Sequence, residues 1–489
     1  MTPIEEIQDK LIEFESLKEQ VRLSPEAAHT FANYAADWVI EHRQGDSTSL
    51  RAAVQLVCRI ATDENPEVAR AGITALFPRL VERLNDSFDP AACQLYDQLF
   101  AQVIEFCRRL PEGKRLDEEL KQFGLQNEAD LLARKANLES QISNLKSRSV
   151  PQKVILLSRV TIGADVAVTS TIIAKLRQKF PQVEYVILGS RKLRDLYGGD
   201  DKIRIHEIAY ERGGSLVGRL NSWLEVIAAV NEERRGFDKN EIWIIDPDSR
   251  LTQLGLLPLV ENDHNYFFFE SRSYQPIGEA TSIGQLAAAW SGELIGNSEP
   301  AYPFVALPEE HRKFGQSVRE GLQHRISSTQ HLVSVSFGIG GNSAKRVSAE
   351  FEQQLIDHLL TDSKLILDKG ASAEERDQIN HIVTAVRAQG KTVVELNETN
   401  KTDSLLEAFH RADVVTWDGS IGTFAGLIAA SDRYIGYDSA GQHIAAALGV
   451  PTLTMFVNAN NTTFAERWQP FGKGKTDLMN IAPNGETAA

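Results

Sequence analysis

The chain has 489 residues, 42% of them hydrophobic and 24% charged, a balance ordinary for folded protein that excludes wholesale disorder. Its 67 acidic residues against 52 basic ones leave a formal charge of −15. That charge repels phosphate backbones at long range and excludes a general nucleic-acid binder, while leaving room for a local basic pocket for one small anion.

Residues 1–148 read as an all-helical domain. Apolar residues recur at three- and four-residue spacing, as at Ala53, Val54, Val57, Ile60 and Ala61, and alternating strand-like runs are absent. Prolines at Pro25, Pro66, Pro90 and Pro111 follow Ser24, Asn65, Asp89 and Leu110, each suited to opening a new helix. Leu131, Leu138 and Leu145 stand seven apart with Ile142 between them. Such a short seam fits either packing on neighbouring helices or a partner or self-association surface. The three cysteines, Cys58, Cys93 and Cys107, lie on apolar helical faces and make no CxxC pair, so buried thiols are expected, not a disulfide framework.

Composition changes around Ser147 to Pro151, and a strand, loop, helix pattern begins. Strands are predicted at 153–158, 185–188, 203–205 and 242–245, with helices at 165–180 and 215–235. A second series has strands at 332–336, 365–367, 392–394, 414–415, 434–435 and 452–456. Alternating βα units imply an α/β fold: two Rossmann-like domains, 149–325 and 326–489, facing a cleft and preceded by the all-α domain. Ligands of open α/β sheets sit beyond the carboxyl ends of the strands. No apolar run reaches the roughly 18 residues of a membrane span. The amino terminus lacks the basic flank and apolar stretch of a signal peptide. A cytoplasmic protein is therefore expected, with peripheral attachment at the inner membrane face left open.

The most specific motif runs from Tyr437 to Pro451. It reads as a strand end, the pair Asp438 and Ser439, a small-residue helix through Ala440, Gly441 and His443, then Gly449 and Pro451. Small residues behind a cap leave backbone N–H groups accessible, and such a helix start stabilises a phosphate. A well-capped packing helix fits the same residues. The second motif, Phe337 to Arg346, holds Gly338, Gly340 and Gly341 ahead of Lys345 and Arg346. Glycines let a backbone approach a ligand closely, and the two cations suit a departing diphosphate. The run does not follow the P-loop pattern.

These residues resemble the heptosyltransferase-like family of GT-B glycosyltransferases, which carries a Gly-rich loop with a Lys-Arg or Lys-His pair and a D-S-G-x-x-H helix start followed by G-V-P. Asp438, Ser439 and His443 keep that spacing, with Ala440 where the family has Gly. The first half is similar too, through a strand, Arg159, Thr161, Gly163 and Asp165. The likeness covers about 153 to 472 and leaves the helical region without a counterpart. It implies a GT-B arrangement and inverting, metal-independent transfer of a sugar from a nucleotide diphosphate sugar, the co-substrate, with no resident cofactor. The acceptor would be a hydroxyl of a glycan, lipopolysaccharide, lipid-linked or protein molecule.

By the same resemblance Asp165 is the base, although it stands one residue late, which turns a helical side chain by about 100°; a mere helix cap remains open. Lys345, with Gly340, Gly341 and Arg346, would meet the diphosphate. Asp438 would bind sugar hydroxyls, and the amides of Ser439, Ala440 and Gly441 would receive phosphates, with His443 beside them. Glu374 or Glu375 would bind the ribose. Arg159, Thr161, Arg212, Asp248 and Arg250 are acceptor candidates. The catalytically lost scaffold that still binds nucleotide sugars is the rival reading. Asp246 and Asp248 imitate a DxD metal motif, but one such pair is common in an acidic chain, so no metal is assigned.

Overall fold

The computed structural model describes residues 3–482 apart from 21–22, 43–46, 141–149, 211–213, 262, 276–278, 324–329, 341, 343–344, 400–405 and 458–461. The first strand is preceded by α1 (Pro3–Glu19), α2 (Pro25–Glu41), α3 (Ser47–Ala61), α4 (Pro66–Thr74), α5 (Glu82–Asn85), α6 (Pro90–Cys107), α7 (Lys114–Gln122) and α8 (Glu128–Ser140). The proline breakers act as expected: Ser24, Asn65 and Asp89 cap α2, α4 and α6 by accepting the N–H of Ala27, Glu67 and Ala91. The apolar stripe of α3 is buried, as are Leu131, Leu138 and all three cysteines. Ile142 and Leu145 lie outside the described residues.

The alternating region runs β1 (Lys153–Leu157), α9 (Ile162–Ala164), α10 (Ser170–Lys179), β2 (Glu184–Gly189), α11 (Arg194–Tyr197), β3 (Ile203–Glu207), α12 (Leu216–Glu233), β4 (Ile242–Asp246), β5 (Tyr266–Phe268), α13 (Ile283–Ile295) and α14 (Glu309–Gln323). It continues with β6 (His331–Ser336), α15 (Ala349–Leu359), β7 (Ser363–Asp368), α16 (Ala373–Ala388), β8 (Val393–Asn397), α17 (Leu406–Arg411), β9 (Val414–Asp418) and α18 (Ile421–Ala429). The last elements are β10 (Arg433–Tyr437), α19 (Ala440–Leu448), β11 (Thr452–Val457), α20 (Thr462–Trp468) and β12 (Thr476–Ile481). β5 and β12 were not anticipated from the sequence.

The strands form two parallel sheets, β1–β5 in one and β6–β12 in the other, so the chain is α/β after a helical region. The second sheet has the order β12-β11-β10-β6-β7-β9-β8. β6 is central, with Ser336 level with Gly436 of β10 and with Asp368 of β7. Val333, Val335, Leu365, Leu367, Val414 and Ile435 form its core, the near-continuous apolar strands of a sheet covered on both faces.

The chain divides into two compact units, residues 1–151 with 207–275 and residues 152–206 with 276–489. This division cuts across the domain boundaries expected at 148 and 325, because packing follows side chains. In the first unit Trp223 of α12 donates its indole N–H to Pro258 O at 2.6 Å. Arg134 of α8 donates to Gly255 O and to Asp263 at 2.8 Å each. In the second unit α14 lies against α18 so closely that a Cβ on Gly315 would sit 2.0 Å from Gly426 O. Arg319 of α14 also pairs with Asp432 at 2.7 Å.

Candidate active site

The Gly-rich turn and the helix start at Asp438 meet in the second unit. Leaving β6, the backbone passes Gly338, Ile339 and Gly340, the last at φ 61°, a left-handed position that glycine takes without strain. Glu375 fixes this turn. Its carboxylate accepts the N–H of Ile339 at 2.8 Å, and those of Ala371 at 2.9 Å and Ser372 at 3.0 Å, in a capping box with Ser372. Burial pushes this carboxyl up, but the backbone donors outweigh it and hold Glu375 below the usual carboxylate range. Glu374 beside it is 75% exposed. Gly341 lies outside the described residues.

Lys345 emerges from the turn and its ammonium reaches Asp438 Oδ2 at 2.5 Å, 5.2 Å from the Phe464 ring centre. Its side chain stays 29% exposed. The backbone behind it is tied to the same strand end, since Val347 N–H donates to the Tyr437 hydroxyl at 3.2 Å and that hydroxyl donates to Glu352 at 2.9 Å. Arg346 pairs with the buried Glu352 at 3.3 Å and donates to Phe337 O. It therefore braces the turn, while Lys345 is the cation with a water-facing side.

α19 starts just past Asp438. Ser439 is extended at φ −153° and its side chain makes no cap bond, so the first amides of α19 are not taken by that hydroxyl. Gly441 is required here: a Cβ would sit 2.1 Å from the Tyr434 hydroxyl. Asp438 Oδ1 accepts from Gln442 Nε2 at 2.7 Å. His443 is buried, edge-on to Trp468 at 6.0 Å. Burial lowers its pKa to about 4, against the pull of Asp438 and with a push from Lys345, so the ring is neutral at pH 7.

The turn after β1 packs against this helix start. A Cβ on Gly163 would meet Ala440 Cα at 3.2 Å and His443 Cδ2 at 3.1 Å. Asp165 is 2% exposed and accepts from Ser158 Oγ at 2.6 Å, Arg159 N at 2.7 Å and Thr169 Oγ1 at 3.0 Å. Burial raises its pKa to about 6 in spite of these donors. The backbone from Asp165 to Thr169 has π winding between α9 and α10. A π turn is how a helix takes in one extra residue, and this one opens at Asp165. Thr161 precedes α9 with no side-chain cap bond. Arg159 lies with its guanidinium 5.9 Å from the Trp468 ring centre.

Asp248 and Arg250 belong to the first unit, and Arg212 lies outside the described residues. Asp248 is buried and accepts from Ser271 Oγ at 2.7 Å and Arg272 Nε at 3.3 Å. Asp246 accepts from Ser249 N at 2.7 Å and from Thr252 Oγ1 and Tyr266 Oη at 2.5 Å each. Both carboxylates thus serve the loop after β4. Arg250 is half-buried in the following 3-10 turn. Among the described residues no group of three or more His, Cys, Asp or Glu stands close enough to hold a metal ion. A cavity of about 430 Å³ in this unit, walled by Phe123, Ile227, Arg234 and Ile242, contains none of the sequence-predicted residues.

Sequence reasoning missed Glu352, Gln442 and the face of α20. The signal for the last was present, since Phe464 and Trp468 stand four apart and share one helical face. Asp438, Ser439, Ala440, Gly441, His443 and α20 all fall in one matched stretch. Residues 418–488 match the family model described as glycosyltransferase family 9 (heptosyltransferase). Solved structures similar to the chain include the glycosyl transferase family 9 protein from Veillonella parvula DSM 2008, at 15% identity and TM-score 0.48, over 68% of this chain and 87% of that one. E. coli ADP-heptose lps heptosyltransferase II is similar at 15% identity and TM-score 0.41, over 66% and 89%. E. coli heptosyltransferase WaaC with ADP follows at 14% and 0.43, over 68% and 94%. No curated protein matches the chain significantly.

Proposed function

We propose that the protein is a glycosyltransferase that moves a sugar, heptose being the choice its family likeness suggests, from a nucleotide diphosphate sugar to an acceptor hydroxyl. The observation that carries this reading is the meeting of Lys345 with Asp438 at the start of α19, inside the stretch that matches the family model. The amides at the α19 start and the Lys345 ammonium would stabilise the departing diphosphate. Asp438 would take sugar hydroxyls. Transfer would be inverting and metal-independent, with a glycan, lipopolysaccharide or protein as acceptor. No helix among the described residues is long and apolar enough to cross a membrane, so a membrane-bound acceptor would be met at the surface of the inner leaflet. The helical region would supply a docking face for the acceptor or a partner.

Asp165 is the base in this reading. A carboxyl at about 6 suits proton abstraction at neutral pH, yet its enclosure by three donors favours a second reading, a scaffold that binds nucleotide sugars without turnover. The test is thermal stabilisation by a panel of nucleoside diphosphates, followed by transfer assays on wild type, Lys345→Ala and Asp165→Asn. Stabilisation and turnover that both fall in Lys345→Ala support the transferase. Stabilisation without turnover across many donors and acceptors supports the scaffold, and neither response removes both.

A further inference from the structure

The pair Lys345 and Asp438 holds a contradiction for any anion. The ammonium that a diphosphate needs is already in contact with a carboxylate, 2.5 Å from its Oδ2. His443 is neutral beside it and Arg346 is held by Glu352, so Lys345 is the cation that the Gly-rich turn offers an anion. A diphosphate and a carboxylate on one ammonium repel each other strongly at these distances. Either the ammonium bridges the two or one of them leaves.

Asp438 has a second anchor besides Lys345. Its other oxygen accepts from Gln442 Nε2 at 2.7 Å, and Gln442 Nε2 also reaches Trp468 O at 3.3 Å. Gln442 Oε1, in a side chain with no exposure, accepts no hydrogen bond among the described residues. A buried acceptor of this kind calls for a donor. A phosphate has only acceptors to offer, whereas a sugar hydroxyl donates.

We propose that Asp438 is a resident counter-ion for Lys345 that the donor diphosphate displaces, and that the released carboxylate, with Gln442 Oε1, then takes hydroxyls of the sugar. The inference rests on the diphosphate reading above and adds an exchange of partners to it. Asp438 is a donor-binding residue in this scheme: it masks the cation until a diphosphate arrives and couples phosphate capture to sugar capture. Bare pyrophosphate, which brings no sugar hydroxyl, meets the carboxylate as a competitor for Lys345.

The experiment titrates the full chain with inorganic pyrophosphate and with ADP by calorimetry at fixed ionic strength. Removing the competing charge in Asp438→Asn should tighten pyrophosphate binding about tenfold or more. Lys345→Met should weaken it about tenfold, and in that background the gain from Asp438→Asn should shrink to about threefold or less. Melting curves without ligand check that each variant folds, and Asp438→Ser replaces Asn if that variant does not. Unchanged or weaker pyrophosphate binding in a folded Asp438→Asn overturns the exchange, and so does a gain of the same size without Lys345. If wild type binds neither pyrophosphate nor ADP, the donor reading itself falls and the exchange with it.

Discussion

At the ends of β4 and β5 the charges are sealed in, while at the ends of β6 and β10 one of them faces water. In the first unit Lys135, 2% exposed, pairs with Asp97 at 2.6 Å and Glu270 at 3.1 Å. Arg272, 3% exposed, reaches Asp248 at 3.3 Å, Glu270 at 2.7 Å and Asn85 at 2.9 Å, with Tyr96 under its guanidinium. Here α5, α6 and α8 are joined to the strand loops by buried charges paired with one another. In the second unit Lys345 pairs with Asp438, lies 5.2 Å from the Phe464 ring centre on α20, and keeps 29% of its side chain exposed. Ion pairs at strand ends are thus no guide to function by themselves. Exposure of the cation is what distinguishes the two places.

The comparison breaks most visibly at Arg272. Arg272→Ala leaves Asp248 buried without its cation, while Glu270 keeps Lys135, and should cost about 3–5 kcal/mol in a urea melt, whereas a loss near 1 kcal/mol would mean the joint is not sealed. Asp165 should come next. Its folded pKa of about 6 lies above the unfolded value, so the stability it contributes is complete below about pH 4 and is lost as pH rises through about 6. The swing is up to about 3 kcal/mol, and Asp165→Asn should flatten it. Turnover runs the other way, falling below about pH 6 as the proposed base is protonated. A pH–rate profile flat from 5 to 8 would count against that role.

Lys345→Ala should lower diphosphate affinity about 10- to 100-fold, the loss of one charge-assisted contact, while changing unfolding stability by no more than about 1 kcal/mol. Glu375→Ala strands three backbone donors and should destabilise by about 1–3 kcal/mol. The smallest effect belongs to its neighbour: Glu374→Ala should stay within about 0.5 kcal/mol, unless it contacts the nucleotide, in which case affinity alone will fall.

The sequence made the strand and helix order readable because buried parallel strands are apolar runs and Pro25, Pro66 and Pro90 follow side chains that cap. It also placed Lys345 and Asp438 after strand ends, whereas the pairing of β6 with β10 that brings them together joins segments about a hundred residues apart. β5 is three residues long and β12 is a largely exposed edge, too short and too polar for a period to emerge. The pairing of Glu375 with Ile339 crosses 36 residues, so spacing alone left Glu374 and Glu375 equivalent. Asp248 reads as a ligand in isolation. Only Arg272 and Ser271, more than twenty residues on, reveal that its charge is already used. The two compact units were hidden for the same reason, because α8 reaches Gly255 and Asp263 across a long stretch of chain.

The loosely wound residues between α9 and α10 have a consequence for how this chain tolerates changes of length. A π turn works as an expansion joint, taking up one residue of slack where ordinary winding would pass a 100° rotation to everything downstream. Ile172, Ile173 and Leu176 remain fully buried beyond it, so the apolar stripe of α10 keeps its aim past the wider turn.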